Sequence, residues 1–169
     1  MAVKDALLAE FDMEMDNTRR TLERVPDDKF GWKPHEKSGT LGWMATHIAT
    51  IPHWAKMTLE QESLNLADPN RSTSGPPLPK DRKGVLELFE KNRNEARAAL
   101  AAGSDAAYSK PWALFMGERE LFREPRANVV RRMVFNHIIH HRGQLTVYLR
   151  LLNVPVPGLY GPSADEQKF

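Results

Sequence analysis

Residues 126–152 read RANVVRRMVFNHIIHHRGQLTVYLRLL, and the reading of this stretch decides the fold. It follows Pro125 and is followed by Asn153 and Pro155, so it carries helix start and stop signals at both ends. At about 100° per residue, Val129, Val130, Met133, Val134, Leu145, Tyr148, Leu151 and Leu152 gather on one apolar face. Arg131, Arg132, Asn136, Arg142, Thr146 and Arg150 fall mostly on the other. With Val129 at zero, His137 stands at roughly 80° and His141 at roughly 120°, bracketing the centre of the apolar face, and Gln144 at roughly 60° also faces inward. His140, at roughly 20°, lies at its margin.

Three further segments read as helices. Residues 3–24 place Val3, Leu7, Leu8, Phe11, Met15 and Leu22 at helical spacing and stop at Pro26-Asp27-Asp28. Residues 40–59 form a second helix capped by Ser38 or Thr40, and residues 82–101 a third ending near Gly103. Pro52 removes a hydrogen bond to the Ile48 carbonyl and should bend the second helix. The Pro-rich stretch from Asp68 to Pro79 reads as an irregular crossover loop. Met116-Gly117, between two short apolar runs, predicts a small β-hairpin before the last helix. The expectation is an all-α four-helix bundle with a long crossover, one domain over residues 1–169.

In the second segment Leu41, Met44, Ile48, Ile51, Trp54 and Ala55 define an apolar face that contains His47, while His53 points away. Three imidazoles are thus aimed inward from two helices. An imidazole cut off from water needs a partner for its polar nitrogens, and a divalent cation is one that His47, His137 and His141 can share. Three neutral nitrogens leave a coordination position open, as catalytic sites do. Hydrogen-bonded core histidines are the plainer alternative. His35 and His53 read as surface residues.

Composition narrows the chemistry. The 169 residues contain no cysteine, which excludes disulfides, thiolate ligands and a cysteine nucleophile. Lys and Arg number 24 against 22 Asp and Glu, and they are scattered, unlike a nucleic-acid-binding stripe. No apolar run approaches the roughly 20 residues that span a bilayer, and the N-terminus lacks a signal core, so a cytoplasmic protein is expected. There is no phosphate-binding glycine loop and no GxSxG elbow. Position 138 is isoleucine, so the histidine pair lacks the glutamate of an HExxH protease. Gln144 is a candidate to orient a ligand or its bound water. Trp43, Met44, Ile51 and Trp54 are candidates to line a substrate pocket, and Tyr160 and Asp165 on the tail are candidates for a lid.

The run from Asn136 to Leu145, continuing through Tyr148-Leu149-Arg150, resembles the signature of the DinB/YfiT-like family. Ser38 to Ile48 resembles that family's first histidine motif, Phe30-Gly31-Trp32-Lys33-Pro34 its preceding turn, and Gly158 to Glu166 a common family ending. The resemblance covers nearly the whole chain in order. It implies an up-down-down-up four-helix bundle, metal ligands at His47, His137 and His141, and a bound Ni2+ or Zn2+, sometimes Fe or Mn. It further implies a homodimer in many members, and thiol-dependent S-transferase or hydrolase activity on a small substrate, with a low-molecular-weight thiol as partner. The family's name comes from DNA-damage induction, a stress response, and implies no DNA binding. A non-catalytic, metal-stabilised bundle that binds a ligand is the alternative.

Overall fold

The computed structural model describes residues 2–68 and 78–167. Residues 69–77, most of the expected crossover loop, lie outside the described residues.

Helix α1, Val3–Leu22, buries Leu7, Phe11, Met15 and Leu22 along one stripe. The same stripe carries buried Glu14, Thr18 and Thr21. Helix α4, Arg82–Ala102, buries Val85, Phe89, Asn92, Ala96 and Leu100 at the spacing of a core-facing helix. Its first turn is capped by Asp81, whose carboxylate accepts the Gly84 N–H at 2.8 Å. Its last turn ends at Gly103, as expected. There the buried Tyr108 hydroxyl donates to the Leu100 carbonyl at 2.6 Å, a second donor beside the Gly103 N–H at 3.3 Å. Burial, and then Asp105, push the Tyr108 phenol up to about 12, so it stays a donor.

The second expected helix is two. α2, Leu41–Thr50, and α3, His53–Glu60, meet at Ile51-Pro52. The expectation of one continuous helix over 40–59 is corrected by the proline, which has no N–H and interrupts the hydrogen-bond ladder. Asn92 of α4 donates to the Ala49 carbonyl at 2.9 Å, filling an acceptor left at the break. Thr40 is the cap, its hydroxyl accepting the Trp43 N–H at 3.1 Å. The Phe30 and Trp32 carbonyls take the N–H groups of Gly42 and Leu41, so the turn before α2 fixes how the helix enters the bundle.

The order of cross-helix contacts gives the directions. Asp12 meets Arg97 and Arg19 meets Glu90, so α1 and α4 are antiparallel. Phe11 meets Phe135 and Glu14 meets Arg142, so α1 and the last helix run the same way. Gly39 meets Tyr148 and His47 meets His137, so α2 and the last helix are antiparallel. Asn92 reaches Ala49, while Ala99 and Ala102 lie beside Leu59 and Glu60, so α2–α3 and α4 run together. This is the up-down-down-up arrangement.

The expected hairpin is present: β2, Pro111–Met116, pairs antiparallel with β3, Arg119–Pro125, and Gly117 turns the chain with φ +63°. Several short elements escaped the sequence reading, two of them around the hairpin. One is α5, Asp105–Ser109, and the other is β1, Ser63–Asn65, which joins β2 in parallel to give the order β1-β2-β3. The Asn65 side chain holds both the N–H and the carbonyl of Gly117, at 2.9 and 3.0 Å. A second small core of Trp112, Leu114 and Val129, with Trp54 and Phe122 against it, fastens this sheet to the bundle.

The last segment is not one regular helix. It comprises α6, Arg126–Val130, then a π-helical stretch, Arg131–Asn136, then α7, His137–Leu151. A π stretch accommodates an extra residue and retards the helical phase. Before it the buried residues are Arg126, Val129 and Val130; after it they are Ile138, Arg142, Leu145, Tyr148 and Leu149, while Val134 and Phe135 are buried within it. On an unbroken wheel the two sets differ by roughly 100°, one residue's rotation. The sequence-based wheel therefore fails beyond residue 136. Arg142, expected on the polar face, is 1% exposed. Leu151, expected inside, is 58% exposed, and Gln144 is also on the surface. His137 and His141 sit at the edge of the buried face rather than at its centre.

Candidate metal centre

The helix break and the π stretch together set the site. α2 carries His47 to its crossing with α7, and the phase shift turns His137 and His141 to the rim of that crossing. All three are half-buried. One ring nitrogen of each lies within 4.8 Å of those of the other two. His47 Nε2 is 3.2 Å from His137 Nε2. Two imidazole nitrogens on one tetrahedral ion stand about 3.3 Å apart, given metal–nitrogen bonds of about 2.05 Å. The ring centroids are 5.0 Å (His47–His137), 4.5 Å (His47–His141) and 4.7 Å (His137–His141) apart.

Their surroundings favour the neutral, ligating form. Burial, with the neighbouring His141 and His137, holds His47 down to about 4. Burial and His141 lower His137, and burial lowers His141. His141 Nδ1 is 2.8 Å from Gln144 Oε1, and since an amide oxygen only accepts, Nδ1 carries the proton and Nε2 keeps its lone pair. The buried Nδ1 of His137 lies toward the Met133 carbonyl without completing a hydrogen bond of full geometry. A ring with one nitrogen so placed and the other directed at two imidazoles is suited to a cation. The donor set fits a divalent transition ion.

Trp43 lies at the site, 45% exposed and stacked on His47 with centroids 5.1 Å apart and planes 8° from parallel. Gly39 makes room for it, since a Cβ there would come within 2.4 Å of the indole. The other pocket candidates are elsewhere. Met44 and Ile51 are buried in the main core. Trp54 packs edge-on to Trp112 at 6.4 Å, under the sheet. Tyr160 donates to Glu14 at 2.7 and 2.8 Å and also bonds Arg142. Asp165 pairs with Arg150 at 2.6 Å. Neither tail residue touches the histidines. His35 is exposed and His53 half-buried. His140 is exposed with its ring 4.8 Å from that of His141.

The sequence reading missed the network behind the triad. Arg142, next to His141, forms an ion pair with Glu14 at 2.6 Å, both side chains nearly sealed from solvent. The signal was in α1. Glu14 is the one charged side chain among the buried residues of α1, and a carboxylate there needs a buried cation.

An up-down-down-up bundle with three convergent histidines where its second and last helical segments cross defines a class: helical proteins with a candidate metal centre open on one side. Within that class the chain belongs to the DinB family, whose model matches residues 1–168. It is similar to the uncharacterized protein YrdA of Bacillus subtilis (strain 168), 24% identical over 163 residues, spanning 96% of this chain and 90% of that protein. Among solved structures it resembles a DinB-like protein from Bacillus cereus ATCC 10987, with a TM-score of 0.72 and 26% identity over 92% of this chain and 97% of that one. It also shares its fold with the DinB-like protein YjoA from Bacillus subtilis, with a TM-score of 0.71 and 18% identity over 96% of this chain and 99% of that one. Among the described residues no helix is long and apolar enough to cross a membrane.

Proposed function

We propose that this protein is a metal-dependent enzyme in which His47, His137 and His141 hold one divalent transition ion beside a small electrophilic substrate. One observation carries the reading: three neutral ring nitrogens from two helices converge at a half-open rim. An all-imidazole set suits zinc, nickel, copper and iron alike; it is the family resemblance that favours Ni2+ or Zn2+, with Fe or Mn after them. When bound, such an ion supplies Lewis acidity and lowers the pKa of a coordinated thiol or water.

The chain's own residues prepare that chemistry. Gln144 fixes the tautomer of His141. Trp43 fixes the plane of His47 and offers a flat apolar wall to substrate at the open side. The chain has no cysteine. A thiol nucleophile therefore comes from outside, as a low-molecular-weight thiol, giving S-transfer; with water in its place the reaction is hydrolysis. Because the triad bridges α2 and α7, a purely structural metal staple is the second reading.

The test begins with metal content by inductively coupled plasma mass spectrometry on protein purified without chelator or histidine tag. Near-stoichiometric metal is expected in the wild type, with loss in His141→Ala. Thiol conjugation to a chlorinated aromatic electrophile, and ester and amide hydrolysis, are then assayed with and without metal. Metal uptake with no turnover in either series leaves the staple reading standing. No metal in the wild type, even after incubation with zinc or nickel, overturns both.

A further inference from the structure

Behind the triad, the Arg142 guanidinium is held by α1 and by the tail. Nη1 donates to the Glu14 carbonyl at 2.9 Å and to Thr18 Oγ1 at 3.1 Å. Nη2 donates to Glu14 Oε2 at 2.6 Å and also bonds the Tyr160 hydroxyl. The Tyr160 hydroxyl lies against both Glu14 carboxylate oxygens, and its ring lies 5.4 Å from the guanidinium carbon. A planar fork with acceptors on both terminal nitrogens has no freedom to turn. Arg142 is therefore a spoke locking α7 to α1. His141 is the preceding residue, about 100° round the same helix, and His137 lies one turn further back.

The tail that supplies Tyr160 is itself strapped down. Glu166 pairs with Arg20 of α1 and with Arg24 just past its end, at 2.9 and 2.6 Å. Asp165 pairs with Arg150 of α7 and accepts the Val156 N–H at 2.8 Å. Gly158 lies in the fold of the tail, where a Cβ would come within 2.8 Å of the Gly161 carbonyl. These contacts leave Tyr160 at one place on the bundle.

Resting on the metal reading above, we propose that Arg142 and Tyr160 are positioning residues for the centre: the Glu14–Arg142–Tyr160 lock sets the rotation of α7 at which His137 and His141 meet His47, so that ion binding depends on the docked tail. Neither residue touches the ion. Their effect passes through the azimuth of the helix, as that of supporting hydrogen bonds does in metal sites.

The test measures zinc affinity by competition with a chromophoric chelator, and the visible absorption of the Co2+-loaded protein as a report on ligand geometry. The proteins are the wild type, Arg142→Lys, Tyr160→Phe and a control, Val85→Ala. Val85 is buried in α4, which carries none of the three histidines, and its truncation lowers stability by cavity formation. Arg142→Lys keeps the charge and loses the fork. Zinc affinity should fall about tenfold. Tyr160→Phe, which keeps the Glu14–Arg142 pair, should weaken binding less and in the same direction. Both should alter the Co2+ spectrum, while Val85→Ala lowers the melting temperature with affinity and spectrum unchanged. Unchanged affinity and spectrum in both variants, or equal loss in Val85→Ala, overturns the lock. A wild type that takes up no metal overturns the reading of the site, and the lock with it.

Discussion

At the scale of the residue, His47 shows what burial does to a base. Its folded pKa, about 4, lies well below the ordinary imidazole value of about 6.5. The unfolded chain therefore binds more protons between these values. His47 contributes stability that is fully present above pH 6.5 and is lost as pH falls through about 4. His137 and His141, lowered for the same first reason, act in the same direction. In the presence of chelator, the melting temperature of the wild type should hold level above pH 6.5 and fall toward pH 4. His47→Gln should reduce that slope, and a slope unchanged by the substitution would remove burial of His47 as its cause. The triad was legible because an i, i+4 histidine pair is short-range information and the upstream motif supplied the third ring. Arg142 was not, because an arginine between polar neighbours reads as solvated. Its burial depends on Glu14, more than a hundred residues away.

At the scale of the element, helices with one clear signal were read well and those with two competing signals were not. α1 and α4 have apolar stripes bounded by breakers and match their expected spans within two residues. Asp81 takes the Gly84 N–H at the start of α4, where Asp27 takes that of Arg82, so Asp81→Ala alone should cost about 1 kcal/mol. In a chain of this length that lowers the melting temperature by about 2–4 °C. A calorimetric scan checks it, and no change would mean that water caps the helix equally well. Pro52 was seen as a bend, whereas it divides the helix, and the difference is made by Asn92 stabilising the break from another element. The π stretch had no signal of its own. Arg131–Asn136 looks helical at any period near 3.6 residues, and only the burial of Ile138, Arg142 and Leu149 afterwards shows that the phase has moved. β1 is three residues long and its partner lies some fifty residues downstream, so no local pattern could announce a parallel pairing.

At the scale of the molecule, the histidines join α2 and α7, which are direct neighbours, and α7 is also tied to α1 by Arg142. An ion that binds only the folded form at a thousand times its dissociation constant adds about 4 kcal/mol. Removing it from the wild type should therefore lower the melting temperature by about 8–16 °C. His141→Ala should melt at the same temperature with and without chelator. A wild type insensitive to chelator during thermal scanning would show that the crossing is held by packing alone.

The separation of the ligands along the chain also bears on biosynthesis. His47 precedes His137 by 90 residues, and at about 5–20 residues per second the ribosome adds the second ligand roughly 5–18 s after the first. Tyr160 and Glu166 come later still. Throughout that interval the nascent chain carries a single histidine of the three, which binds no ion tightly by itself. On the proposed reading of the site, loading would wait until the last helix is made, and a ribosome stalled before that helix releases a product with His47 and without its two partners.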